Sequence, residues 1–275
     1  MIGRRRISDI LESVSSLRLL TYLAPSIPAG LFELVASEIE AAAGTRVTLD
    51  FETSVSGPTP DADPFAEDRA DIAFVCGPSY SRLRDAGRNV GIVAAAPVFD
   101  DPRNAGRPVY FSDVVVRRDH PARSFPDLRR SAWAYNDRQS LSGWFRMLAR
   151  LETLGFGRDP ESFFARVFAS GSHVASTDLV LRGEADVSAV DSNTLLLSRR
   201  RDPLVDEGLR VLESWGPSPV QPLIARAEIP AALRTRIEGA LLRMADSPEA
   251  ARRLRAFGVL RFAPVDESAY RAAAL

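Results

Sequence analysis

Short apolar runs alternate with helix-patterned segments along most of this sequence, and few architectures accommodate that rhythm. Residues 17–23 read as a strand, and residues 31–43 as a helix stopped by Gly44, where a missing Cβ suits the left-handed position after a helix. Strands are expected again at Arg46–Phe51 and at 71–76, the latter running into the turn Gly77-Pro78-Ser79-Tyr80. Between them residues 52–68, rich in Pro, Gly and Asp, read as loop or a short broken helix. Such alternation predicts largely parallel sheets covered by helices on both faces, with ligand loops at the carboxyl ends of the strands.

Two later segments, Val109–Arg117 and 209–215, read as extended and bracket a central block in which the strand-helix rhythm restarts at Ala132–Tyr135, Arg166–Ala169 and 185–190. They are expected to be a pair of strands crossing between two lobes. The fold class is therefore α/β: two doubly wound sheets joined by two crossing strands, with 1–108 plus 215–275 as the first lobe and 109–214 inserted as the second. A ligand cleft is expected between them. The return leg reads as a strand at 220–226, a helix at 230–244 and two short helices near the C-terminus.

With 275 residues, 45% of them hydrophobic, the chain can furnish cores for two such lobes. Its 35 basic and 36 acidic residues nearly balance, which argues against nucleic acid or an anionic membrane as partner and makes any anion site a local affair. Every basic residue is Arg. Without Lys there is neither a P-loop nor a Schiff base to pyridoxal phosphate. The single Cys76 has no partner for an internal disulfide or a Cys-rich zinc site and reads as a small buried hydrophobe, so no metal or cofactor is expected. No run reaches the roughly 18 apolar residues of a membrane span. The basic cluster Arg4, Arg5 and Arg6 is followed by Asp9 and Glu12, which interrupt what an export signal would need as an apolar core. The place of work is thus periplasmic or extracytoplasmic if a signal has been removed, and cytoplasmic otherwise.

The chemistry concentrates in the central block. After Tyr135 comes Asn136-Asp137-Arg138-Gln139-Ser140-Leu141-Ser142-Gly143-Trp144, then a helix stopped at Gly155. Ser140 or Ser142 can simply cap that helix. The same geometry also binds an anion, because exposed N–H groups, hydroxyls and the positive helix end act together. A second such turn is Ser170-Gly171-Ser172-His173, and a third strand delivers Asp191-Ser192. Asp191 reads either as a helix cap or as a carboxylate that accepts the proton of a partly protonated oxyanion or an amine carried by the ligand. His120 and the clusters Arg129-Arg130 and Arg199 to Arg201 read as surface features.

The Ser-x-Ser-Gly helix start, the Ser-Gly-Ser-His turn, and Gly183-Glu184-Ala185-Asp186 leading to Ala189-Val190-Asp191-Ser192 resemble the phosphate, phosphite and phosphonate solute-binding proteins of ABC importers. The segment Ala70-Asp71-Ile72-Ala73 with its Gly77-Pro78-Ser79-Tyr80 turn is similar to that family's strand and tyrosine-bearing turn. The resemblance runs from about residue 17 to 262. It implies a type II periplasmic-binding-protein fold, capture of a small oxyanion, an ABC permease as partner, and a monomer without catalytic residues or membrane insertion. It further implies that Ser140, Ser142 and the N–H of Leu141 hold the anionic oxygens, with His173 as a further donor, Asp191 opposite, and Tyr80 reaching from the other lobe. Tyr22, after the first strand, is a second candidate for that contact. Two departures stand out: Leu141 replaces the usual Thr between the serines, and the tyrosine turn is one residue shorter than the commoner form.

Rival readings are a cytoplasmic enzyme on the same fold, similar to the dehydratases of menaquinone biosynthesis, and a small-molecule sensor module. A Ser-His-Asp set can be drawn from Ser142, His173 and Asp191. The inventory of two His, no Lys and no Gly-x-Ser-x-Gly elbow speaks against an enzyme.

Overall fold

The computed structural model describes residues 16–59 and 61–272, so the basic cluster at Arg4, Arg5 and Arg6 lies outside the described residues. The chain opens with strand β1 (Ser16–Thr21), helix α1 (Ala29–Ala43), strands β2 (Arg46–Phe51) and β3 (Ile72–Phe74), helix α2 (Gly77–Asp85), and strands β4 (Val90–Ile92) and β5 (Ala95–Phe99). It crosses along β6 (Val109–Arg117) and winds through β7 (Ala132–Tyr135), α3 (Arg146–Thr153), β8 (Arg166–Ala169), α4 (His173–Leu181), β9 (Val187–Asp191), α5 (Ser192–Arg201) and α6 (Pro203–Gly208). Strand β10 (Leu209–Pro219) brings it back to β11 (Leu223–Arg226), α7 (Ala231–Arg243), α8 (Pro248–Ala256), β12 (Val259–Pro264) and α9 (Glu267–Ala272).

Two five-stranded sheets result, ordered β2-β1-β3-β11-β4 and β10-β6-β9-β7-β8, with β5 and β12 pairing as a ribbon. The sheets are mixed rather than largely parallel. β1 runs parallel to β2 and β3, and β7 to β8 and β9, but β11 and β6 are antiparallel to both their neighbours. A strand that enters a sheet straight from the other body needs no helical crossover, so nothing forces it to run parallel. The returning strand also extends past residue 215, pairing Pro219 with Val109 across a register shift.

Each sheet has its own core. Around the first, Leu19, Phe32, Val35 and Ile39 of β1 and α1 pack with Leu233 and Ile237 of α7. The apolar residues of α1 recur at helical spacing, and Gly44 ends it at φ 69° with its N–H donating to Glu40 O. Around the second lies an aromatic cluster in which Phe125 stacks on Phe163, with ring centroids 5.5 Å apart, and meets Trp133 edge-on. Because β7, β8 and β9 are parallel, the turns that follow them emerge on one rim. The Gly77-Pro78-Ser79-Tyr80 segment, expected as a turn, is instead the first turn of α2, whose early Pro supplies a helical φ without costing a needed N–H.

Candidate functional site

On the second sheet's rim, β7 is followed by Asn136 and Asp137, and Asp137 Oδ1 accepts from the Gln139 N–H at 2.6 Å. Ser140 caps the next helix: its Oγ accepts from the Gly143 N–H at 3.1 Å. The helix starts with one wide π turn, Leu141–Phe145, before narrowing into α3. Ser142, spared the capping role, holds its Oγ 3.0 Å from His173 Nε2 and 3.5 Å from Ser140 Oγ, while its carbonyl accepts from Ser112 Oγ at 2.8 Å.

His173 is the first residue of α4, behind the cap Ser172, and is buried. Burial pushes its pKa down to about 3, so the ring is neutral. Its buried Nδ1 has no hydrogen-bond partner. A buried lone pair without a partner is better tolerated than a buried N–H without one, which assigns the proton to Nε2. That N–H then donates to Ser142 Oγ, whose own proton has the Tyr110 oxygen and, at 3.5 Å, Ser140 Oγ as protein partners.

Asp191 closes β9 and caps α5. Its Oδ1 accepts from the N–H groups of Asn193 at 2.7 Å and Thr194 at 3.3 Å, and its Oδ2 accepts from Gln221 Nε2 at 2.6 Å. Burial raises its pKa to about 6, against the lowering pull of those donors. Asp191 does not bond to His173, so no Ser-His-Asp relay is assembled from Ser142, His173 and Asp191. Among the described residues no group of His, Cys, Asp and Glu is placed to hold a metal ion.

These groups share one cavity of about 30 Å³, room for roughly two or three water-sized bodies. The second lobe lines it with Asn136, Ser140, Ser142, His173, Asp191 and Thr194; across from them stand Tyr22, Leu23, Ser26, Ile27, Ser56, Cys76 and Gln221. None of the lining side chains is cationic. Hydrogen bonds bridge the two sides: the backbone N–H of His173 donates to Ser26 Oγ at 3.1 Å, Asn136 Nδ2 to Ser56 Oγ at 3.2 Å, and Arg82 to Gln139 Oε1.

Of the seven residues singled out from sequence, Tyr22, Ser140, Ser142, His173 and Asp191 line this cavity and two do not. Leu141 packs its side chain with Cys76 and Tyr110, and its N–H donates to Cys76 Sγ at 3.4 Å rather than standing open to the cleft. The Cys76 thiol, with its pKa raised to about 12 by burial, stays protonated. Tyr80 is carried by α2 into the first lobe's core, where its hydroxyl donates to Glu267 Oε1 at 3.1 Å and its ring meets Tyr270 edge-on. The shortened turn explains this: Tyr80 becomes the fourth residue of a helix instead of the tip of a loop. Sequence reasoning did not single out Ser26, Ser56, Asn136, Thr194 and Gln221. Asn136 and Ser26 follow β7 and β1, a signal that could have found them; Gln221 arrives only through the chain's return from the other lobe. His120, expected on a surface turn, accepts from the Ala122 N–H through Nδ1 at 3.2 Å, and Arg200 pairs with Asp100 at 2.8 Å.

Residues 29–270 match the family described as the periplasmic substrate-binding protein of phosphonate ABC transporters. Among solved structures, the chain is similar to PhnD1 from Prochlorococcus marinus in complex with methylphosphonate, with a TM-score of 0.78, 16% identity, and coverage of 94% of this chain and 95% of that one. A binding protein component of an ABC phosphonate transporter from Pseudomonas aeruginosa gives a TM-score of 0.75 at 15% identity, covering 93% of this chain and 83% of that one. The periplasmic aliphatic sulphonate binding protein SsuA from Escherichia coli gives 0.60 at 14%, covering 95% and 85%. These likenesses establish the two-lobed binding-protein fold. The family match spans nearly the whole of that fold, and on it this chain belongs to the periplasmic substrate-binding proteins of phosphonate ABC transporters.

Proposed function

We propose that this protein captures a small, singly charged oxyanion of the phosphonate, phosphite or phosphate class between lobes formed by 1–108 with 215–275 and by 109–214. As a monomer it hands the ion to an ABC permease, in the extracytoplasmic compartment that its family implies. The observation that carries this reading is the convergence of three helix starts, capped by Ser140, Ser172 and Asp191, on one cavity lined by hydroxyls and amides. Backbone N–H groups and the positive helix ends can hold an anion there without a cationic side chain. Ser142 supports the same reading, since its hydroxyl lines the cavity beside His173 Nε2.

Calorimetric titration with phosphite, methylphosphonate, phosphate and sulfate tests it. Saturable binding of one or more of the phosphorus oxyanions is expected. Ser142→Ala should weaken that binding by about 1.5 to 3 kcal/mol, the worth of a hydrogen bond to a charged group, and lower stability by about 1 kcal/mol because His173 loses its partner. Full affinity in Ser142→Ala would reduce the serine to a support for His173. No binding of any of these ions would overturn the assignment of the cavity.

A further inference from the structure

Asn136 brings to the oxyanion cavity an atom that a bare anion cannot satisfy. Its side chain is 6% exposed, and Nδ2 donates across the cleft to Ser56 Oγ at 3.2 Å. With the amide held that way, Oδ1 is left on the side of the helix starts, buried and without a hydrogen-bond partner. A Cβ on Gly143 would overlap this oxygen and stand 3.4 Å from His173 Cε1, which puts Oδ1 in the notch between the π turn and the His173 ring. We propose that Asn136 Oδ1 accepts a proton carried by the ligand, so that the site selects an oxyanion with one acidic O–H over ions of the same shape and charge that carry none, such as sulfonates. This rests on the reading of the cavity as an oxyanion site and names the residue that sets its specificity.

The donors around Asn136 are already engaged. The Gly143 N–H goes to Ser140 Oγ, His173 Nε2 faces Ser142 Oγ, the His173 backbone N–H goes to Ser26 Oγ, and Gln221 Nε2 goes to Asp191. A cavity of about 30 Å³ has no room for a bridging water beside an ion. The ligand itself must therefore supply the proton. An unprotonated oxygen against Oδ1 would set two negative atoms together and leave the buried carbonyl unsatisfied, whereas an O–H turns the same contact into a hydrogen bond. Of the titratable groups lining the cavity, His173, at about 3, and Tyr22 and Cys76, each at about 12, stay neutral between pH 5 and 9. Asp191, at about 6, stands at another part of the lining, and Asp137, raised by burial, follows Asn136 in the chain within the field of Arg82. These charges act alike on two ions of equal charge, so a comparison of such ions isolates the proton.

Titration calorimetry with methylphosphonate and methanesulfonate provides the test. At about pH 5 both are monoanions of the same heavy-atom shape, and the phosphonate alone carries a proton. Methylphosphonate should bind at least about tenfold more tightly, the worth of a hydrogen bond to a charged group. That preference should shrink as pH rises through the ligand's second ionisation, roughly pH 6 to 7 by analogy with phosphorylated side chains. Asn136→Ala should bring the two ions within about twofold of each other at pH 5. Ser26→Ala removes a different bond across the cleft and keeps Asn136, so it should weaken both ions alike and preserve their ratio. Equal affinities in the wild type would mean that the amide is turned, with Nδ2 toward the ion, and would overturn the proposal while leaving the oxyanion reading intact. An unchanged ratio in Asn136→Ala would overturn it too, by giving the proton to another residue. Failure of both ions to bind, with phosphite and phosphate equally silent, would sink both readings.

Discussion

Asp191 illustrates how one carboxylate can serve the fold and still be chemically poised. Its sequence context allowed a helix cap or a ligand contact, and the structure shows the cap made while the side chain also lines the cavity. Burial lifts its pKa to about 6, well above the value near 3.8 of a free carboxyl, with the nearby Asp113 adding slightly to the rise. The native state thus favours the protonated form. That contribution to stability is fully present below about pH 4 and is lost as pH rises through about 6. Asp191→Asn keeps a good cap and removes a titrating group, so its free energy of unfolding should exceed the wild type's above pH 7 by about 1 to 3 kcal/mol, raising the melting temperature, with no advantage near pH 4. Affinity should report the same proton: wild-type binding of a phosphonate should weaken from pH 5.5 to 8.5 as ligand and Asp191 both become more negative, and the Asn variant should show a shallower fall. Parallel melting and affinity profiles for the two proteins would leave Asp191 as a cap alone.

At the scale of elements, the π turn Leu141–Phe145 matters most, because it places Ser142 beside His173 while Ser140 keeps the cap. Gly143 within it is required by space: a Cβ there would overlap Asn136 Oδ1 and stand 3.4 Å from His173 Cε1. Gly143→Ala should therefore displace Asn136, break its bond to Ser56 of the first lobe, and cost about 1 to 3 kcal/mol of stability in a denaturant titration, as overpacking does, along with a measurable loss of oxyanion affinity. Unaltered stability and affinity would mean that Asn136 has another place to go. Elements whose pattern is local were legible in the sequence: Arg46–Phe51, Val109–Arg117, Ala132–Tyr135 and Arg166–Ala169 stand as expected. The ribbon of β5 and β12 was not, since Ala95–Phe99 contains Pro97 and becomes a strand only against a partner far along the chain. Helix α2 was missed for the opposite reason: Gly77-Pro78 reads as a turn, yet Pro is well suited to a helix start.

On the scale of the whole molecule, β6 and β10 form the passage between the two bodies and pair antiparallel along their length. Arg103, just ahead of β6, ties this passage to the first lobe by bonding Asp101, Asp113 of β6 and Ser214 of β10. Beyond it, the bodies meet across the cleft through such hydrogen bonds as His173 to Ser26 and Asn136 to Ser56, each worth about 1 kcal/mol net. Together with Arg82 to Gln139, Leu141 to Cys76 and Gln221 to Asp191 they hold the two sides in contact, and a ligand held by both sides should add to this set by binding the closed form better than the open one. Small-angle scattering should show a smaller radius of gyration with saturating ligand than without; identical curves would count against closure. By itself the sequence determined the two-body α/β plan, the three polar turns of the central block and the absence of lysine chemistry, because strand periodicity, capping residues and composition are written locally. Tertiary structure alone decided that Tyr80 turns into the core, that Leu141 gives its N–H to Cys76, and that Gln221 and Ser26 enter the site. Those facts depend on which distant surfaces come into contact, and contact between distant surfaces leaves no periodic trace along a chain.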